Sequence, residues 1–380
     1  RDIALLFLGM DLECARCHDH PSVKTWEQAD YWGLYAYLSW TKPATSSKDK
    51  KEYLVEVLGK KEIEYQSVFE SVSDATGPQL PGLPEKKVPE LAKGEEFSSP
   101  AADGLPPVPK FLPRKELAAD LTSPKNHAFA RNSVNRFWAR LMGRGLIHPL
   151  DQIHPGNPPS HPELLKKMAE LFISRDYDLK WLLRSILLSK AYQRSSRLPG
   201  NKAPVDPQSY RAALPKALTP EQLLHSVLRA TGNLEKTRAL KSDPAKKFDR
   251  KGYFTGTHQD LPESYDEIRA IFIQTFGQPP GEPETEFTPG LNQSLFLMND
   301  RLLLSWLKPS GNNLIKRLGG LKTAPEISEA LYLEVLSRPP AESETAELDD
   351  YLQKNSARRS AALGELAWAL INSTEFRLNH

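Results

Sequence analysis

Both cysteines of this 380-residue chain fall within four positions, Cys14 and Cys17, and His18 follows at once. C-x-x-C-H is the attachment pattern of a c-type haem. On a helix, positions i, i+3 and i+4 share one face. The spacing therefore predicts that Cys14, Cys17 and His18 point the same way. Two thioether bonds then pin a porphyrin edge while His18 reaches the iron as axial ligand. Ahead of the motif, Leu5, Leu8 and Leu12 recur at helical spacing and predict an apolar stripe packed beneath it.

Three other readings of the motif stay open. A thioredoxin-type disulfide uses the same Cys spacing, but no βαβ pattern surrounds this one. A zinc-like centre with Cys14, Cys17, His18 and His20 as ligands crowds four donors into seven residues and lacks a second Cys pair. The third reading is a structural pair of reduced thiols. His18 is the expected iron ligand. His20 is expected to donate a hydrogen bond beside it, or to join His18 on the metal in the non-haem alternative. His127, His148, His154, Met142, Met168 and Met298 are distal-ligand candidates by residue type only, and the methionines are expected in the core. His161 is expected to make a structural hydrogen bond.

A hydrophobic content of 39 % with 26 % charged residues describes a soluble globular protein, long enough for two or more cores. The net charge of +2 gives no electrostatic case for a nucleic-acid partner. The apolar run Ile3 to Met10 is too short to span a membrane. The chain begins at Arg1 without an initiator Met or a signal-peptide pattern, so a fragment or processed form is expected. The absence of further cysteines argues against a disulfide framework. The compartment therefore follows from the haem reading: c-type haem is attached outside the cytoplasm, which implies a periplasmic or otherwise exported protein.

Along the chain, residues 1–40 read as two helices around the motif. Thr25-Trp26-Glu27-Gln28 is a T-x-x-Q capping box for a helix that carries Trp32, Tyr35, Ala36 and Trp40. These aromatics suit a wall for a flat cofactor, but ordinary core packing is the expected role of each taken singly. Residues 41–62 are Lys-rich and read as a solvated loop or helix end. Residues 63–72 alternate apolar and polar with period two and predict a strand; Val108 to Phe111 predicts a short extended piece. Helices are expected from Arg114 to Thr122 and from His127 to Met142, the latter ended by Gly143. Arg136, Arg140 and Arg144 form an i, i+4, i+8 ridge that suits propionates, an anionic partner or plain solvent.

Ser160-His161-Pro162-Glu163 reads as a capping box before a stripe of Leu164, Leu165, Met168, Leu171 and Phe172. Asp178 is expected to cap a helix that turns Leu179, Leu182, Leu183, Ile186 and Leu187 inward. Thr219 to Gln222 and Thr323 to Glu326 are further boxes, each with a proline inside the first turn. Residues 240–262 read as a loop, Ile268 to Phe276 as a strand or helix, Pro279 to Glu286 as an acidic linker. Leu291 to Leu307 and Ala361 to Phe376 each read as one helix. No glycine-rich phosphate loop, G-x-S-x-G or H-E-x-x-H occurs.

Several segments together resemble a known pair of domains. Phe7-Leu8-Gly9, then Leu12 through Pro21 with the motif inside it, and Asp30-Tyr31-Trp32-Gly33-Leu34 resemble the planctomycete-type cytochrome C domain. Asn132 to Gly145, Asn157 to Leu165, Tyr177 to Leu182, and Ala369 to Phe376 resemble the domain of unknown function that usually follows it. The resemblance implies an exported bacterial protein whose first domain is named for C-x-x-C-H. It departs from the pattern after His20, where Ser22-Val23-Lys24-Thr25 stands in place of an aromatic and an Asp. Most of the first domain ahead of the motif is expected to lie outside this chain.

The expected fold is mainly α, with helical bundle-like domains and a small β-containing insert. Its segments are 1–40 with the motif, 41–113 as the insert, and 114–380 as the helical domain of unknown function. The expected function is covalent haem c binding at Cys14, Cys17 and His18, for electron transfer with a redox partner protein. The alternatives are a metal-dependent enzyme acting on a polymer, with His18 and His20 on the metal, and a non-catalytic interaction scaffold. No nucleophile–base pair marks an enzyme.

Overall fold

Short polar side chains and prolines set where the helices begin. In the computed structural model, which describes residues 1–69, 73–196, 205–241, 248–256, 261–277 and 290–379, the chain is mainly α with small two-stranded sheets. It divides into two compact units, Arg1–Leu214 and Pro215–His380.

The first unit opens on a π-helical turn, Ala4–Leu8, closed by Gly9 at φ +70°. The left-handed conformation favours glycine here, and a Cβ would also stand 2.5 Å from Ile153 and 2.7 Å from Asn132 Oδ1. Leu5, Leu8 and Leu12 are buried, as their spacing predicts, although the helix is only this one turn. After the motif comes α1 (Gln28–Leu38). Three antiparallel hairpins follow: β1 (Thr41–Thr45) with β2 (Glu52–Glu56), β3 (Ile63–Gln66) with β4 (Ser73–Thr76), and β5 (Phe97–Ser99) with β6 (Val108–Pro109). The first hairpin corrects the expectation of a solvated loop over 41–62. Its register runs from Thr41 opposite Glu56 to Thr45 opposite Glu52, and Ser46 Oγ accepts from the turn amides of Lys48 and Asp49. The expected strand over 63–72 forms as β3 up to Gln66; its last three residues lie outside the described ones.

Helices α2 (Pro113–Leu121), α3 (His127–Met142), α4 (Pro162–Ser174) and α5 (Leu179–Leu187) complete this unit. Asn126 caps α3 by accepting from Phe129 N–H at 3.3 Å, and Gly143 ends it in the left-handed region. Asp178 caps α5 through Trp181 N–H at 3.0 Å. On α5, Leu182 and Ile186 point inward while Leu179 is exposed. One core gathers Leu8, Leu12, Trp26, Leu34, Tyr37 and Leu80; another gathers Val134, Trp138, Ile147, Leu165, Phe172 and Leu182. Asn135, fully buried, exchanges two hydrogen bonds with the backbone of Ile147 and so fixes the loop after α3.

The arginines at 136, 140 and 144 do not form one ridge. Arg136 turns inward to the buried Asp151 carboxylate and to the Leu5 carbonyl at 2.9 Å, Arg140 is exposed, and Arg144 lies beyond the end of α3. Ser160 does not cap α4; its N–H and its hydroxyl both donate to the Leu146 carbonyl. His161 stands at the N-cap position instead.

The second unit pairs β7 (Lys216–Ala217) with β8 (Leu378–Asn379) around a helical core. Its helices are α6 (Pro220–Ala230), α7 (Leu234–Arg238), α8 (Arg250–Thr255), α9 (Tyr265–Phe276), α10 (Leu291–Asn299), α11 (Arg301–Trp306), α12 (Leu314–Leu318), α13 (Ala324–Leu336), α14 (Glu342–Lys354), α15 (Arg359–Asn372) and α16 (Thr374–Arg377). The capping boxes at Thr219 and Thr323 form as predicted. Ser264 caps α9, which settles Ile268 to Phe276 as helix. Three expectations change. Part of 240–262 is helical, as α8. Asp300 splits 291–307 by capping a new helix through Leu302 N–H at 2.9 Å, and Ser373 does the same before α16. The acidic segment from Pro279 to Glu286 lies outside the described residues.

Candidate functional site

The chain from Cys14 to Arg16 makes a single 3-10 turn, and the amides of Cys17 and His18 both donate to the Cys14 carbonyl, at 3.2 and 3.3 Å. This places the two sulfur-bearing residues and His18 on one tight turn rather than along a helix face. Ala15 is fully buried against the first core, which presses the turn outward. Both cysteines are free and exposed.

The two histidines are held in complementary tautomers. His18 Nδ1 lies 2.7 Å from the Asp19 carbonyl oxygen. A carbonyl only accepts, so Nδ1 carries a proton, and in the neutral ring Nε2 then keeps its lone pair. His20 Nδ1 lies 3.2 Å from Ser22 N–H and 3.0 Å from Val23 N–H. Amides only donate, so this Nδ1 is the bare nitrogen and the neutral ring carries its proton on Nε2. The Asp19 carboxylate accepts from Gln28 N–H at 2.8 Å, and His20 N–H donates to the Trp26 carbonyl at 2.9 Å. Asp19 is thereby tied to the first residue of α1, and His20 to Trp26 just ahead of it.

Aromatic rings surround the turn. Trp26 is buried and receives His20 on one side and His154 on another, both edge-on, with centroids 5.1 and 5.5 Å away. Trp32 Nε1–H donates to the Arg16 carbonyl at 3.2 Å and its ring runs parallel to Tyr65. Tyr35 is exposed, whereas Ala36 and Trp40 belong to the interior. From the hairpin of β3 and β4, Val68 N–H donates to the Cys17 carbonyl at 3.0 Å, and the Phe69 ring lies 4.9 Å from that of His18. Phe69 is 77 % exposed beyond this contact.

Of the distal candidates, the fold brings His154 to the motif's neighbourhood through Trp26. Met142 and Met168 are buried in the second core, Met298 is exposed in the second unit, and His161 packs on Tyr210. His127 is the exposed first residue of α3, and His148 precedes Pro149 through a cis peptide. Among the described residues, no three His, Cys, Asp or Glu side chains converge on a point that suits a metal ion. Asp19, Val68 and Phe69 were not among the residues that the sequence singles out. Asp19 sits beside the motif, but its role depends on Gln28, and the other two arrive from a hairpin some fifty positions away.

The N-terminus of α1 carries a pH-sensitive group. The Asp30 carboxylate accepts from Glu27 N–H at 3.0 Å. Burial raises its pKa to about 6, the amide of Glu27 opposes this, and the charges of Glu27 and Asp19 add to the rise. The folded protein thus holds a proton on Asp30 that the unfolded chain, with an ordinary value of 3.8, releases. Stability contributed here is complete below about pH 4, falls as pH rises to about 6, and is flat above, a loss of up to about 3 kcal/mol. Asp30→Asn keeps an acceptor oxygen and has no charge to bury. It is expected to flatten the dependence of Tm on pH between 4 and 6 without lowering Tm at pH 7. An unchanged slope in the variant would refute this account.

Comparison with protein families matches two stretches of the chain. A family described as "PSCyt2: Protein of unknown function (DUF1549)" matches residues 1–42, the stretch that carries the motif. One described as "PSD1: Protein of unknown function (DUF1553)" matches residues 113–352. These are the names of a domain pair associated with planctomycete cytochrome c proteins. No curated protein and no solved structure matches the chain. With more than half of its residues inside the second match, preceded by the first, the chain belongs to the PSD1 family of proteins of unknown function.

Proposed function

We propose that this chain is an exported c-type haem protein that works in electron transfer, as a cytochrome-C-like partner in a redox exchange. The observation that carries the reading is the turn itself: two free, exposed thiols and a histidine whose Nδ1–H is taken by a neighbouring carbonyl, leaving Nε2 as a ligating nitrogen. The residues fit the group. Cys14 and Cys17 would hold it covalently, and His18 would supply the proximal nitrogen. Phe69 and Val68 offer exposed apolar surface beside the turn, which a flat hydrophobic group would take out of water. When bound, haem supplies a one-electron couple whose potential follows from axial ligation and burial. The chain's own part is to orient His18, exclude water from its ring through Phe69, and keep the thiols accessible for attachment. Attachment of this kind occurs outside the cytoplasm, which supports a periplasmic location.

Expression with haem-maturation machinery is expected to give a Soret band that survives denaturation and stays with the polypeptide. Cys14→Ala with Cys17→Ala is expected to abolish that covalent haem entirely, while the far-UV circular dichroism stays unchanged. A wild-type chain without a Soret band, or covalent haem that persists in the double variant, would sink the proposal.

A further inference from the structure

His18 and His20 are separated by one residue, and the peptide between Asp19 and His20 is anchored on both edges. Its carbonyl accepts from His18 Nδ1–H, and its N–H donates to the Trp26 carbonyl. A trans peptide is planar, so its C=O and N–H point in opposite directions from one rigid plate. Wherever the N–H is aimed, the carbonyl is aimed too. What fixes the N–H end is the loop from Ser22 to Trp26, and that loop is closed on the His20 ring: Nδ1 gathers the amides of Ser22 and Val23, and the Val23 carbonyl accepts from Trp26 N–H at 2.9 Å.

We infer that His20 is a positioning residue for His18: by holding the 22–26 loop it aims the Asp19 carbonyl at His18 Nδ1, and so keeps the His18 Nε2 lone pair free. His20 itself presents an Nε2–H and no free lone pair. For His20 to bind a metal through Nε2, its proton would have to move to Nδ1, against two amide hydrogens. The second histidine of the motif therefore serves the first rather than sharing its ligand role. The use of His18 as a haem ligand rests on the proposed function; the tautomers do not.

Asparagine offers a discriminating substitution, because its Oδ1 occupies the position of the histidine Nδ1 and accepts from amides two and three residues on. Glutamine places its oxygen one bond further out. Full-length protein labelled with 15N on the histidine rings reports each tautomer directly, with no haem present. In the wild type, His18 is expected as the Nδ1–H form and His20 as the Nε2–H form. His20→Asn is expected to leave His18 in the Nδ1–H form. His20→Ala and His20→Gln are expected to lose that excess, so that His18 passes into the Nε2–H form that free histidine favours. If alanine proves too disruptive to fold, the Asn and Gln pair carries the comparison. His18 keeping its Nδ1–H form in folded His20→Gln, or losing it in His20→Asn, would overturn the inference. The Cys14 and Cys17 double variant tests haem attachment separately, so either idea can fail alone.

Discussion

Arg136→Ala is expected to destabilise the first unit by about 3–5 kcal/mol, the cost of breaking a buried ion pair from one side. The Asp151 side chain is only 5 % exposed and faces the Arg136 guanidinium directly. Removing the arginine takes this guanidinium from a carboxylate held away from water, and the Leu5 carbonyl loses a donor at the same time. The damage should centre on the N-terminal turn, because Arg136 joins that turn to the 151 loop across α3. For a unit of this size, each kcal/mol moves Tm by roughly 2–4 °C, so a shift of roughly 6–20 °C should appear by calorimetry. Arg136→Leu combined with Asp151→Leu is expected to cost less than Arg136→Ala alone, since no charge is then left buried. A single-variant loss under about 1 kcal/mol would show that the pair behaves as a surface bridge.

The second large effect is expected at Trp26. Trp26→Ala should cost about 3–5 kcal/mol, as large-to-small changes at well-packed aromatics do. The ring is 1 % exposed and sits among Leu8, Leu12 and Val23 with two histidine edges against it. What separates it from other core positions is where the loss should spread. The Trp26 carbonyl anchors His20 N–H and its ring braces His154, so amide exchange from Asp19 to Trp26 and around His154 should rise more than in α3 or α4. Denaturant midpoints give the first quantity and exchange rates the second. Uniform exchange across the unit would mean that the ring supports the core without specially supporting the motif.

Helix starts are legible in this chain where the capping candidate stands directly before the first helical residue. Thr219, Thr323 and Asp178 are such cases, and each caps as its spacing predicts. The failures have the opposite cause. Ser160 stands one residue short of the N-cap, held through its N–H and hydroxyl to the Leu146 carbonyl, 14 positions back. Thr25 is drawn into the turn that buries Trp26, so α1 waits until Gln28 and takes its acidic cap from Asp30. The first hairpin escapes notice because neither strand alternates in burial: Tyr53 and Leu54 are both exposed. At the site, the thiols and His18 are readable because they are neighbours in sequence. The packing of Phe69 on His18 and of His154 on Trp26 depends on contacts across 51 and 128 positions, and no local pattern encodes them.

Those distances give the motif a history as well as a shape. Every hydrogen bond that sets the His18 and His20 tautomers closes within a dozen residues, so the turn can form almost as soon as it emerges. Its outer cover cannot. Val68 and Phe69 are made about fifty residues later, which at roughly 5–20 residues per second is an interval of several seconds. Until then the His18 ring has no Phe69 against it. The Phe69 contact is therefore the late part of the site, and it covers the His18 ring alone, because both thiols are still exposed once it has formed.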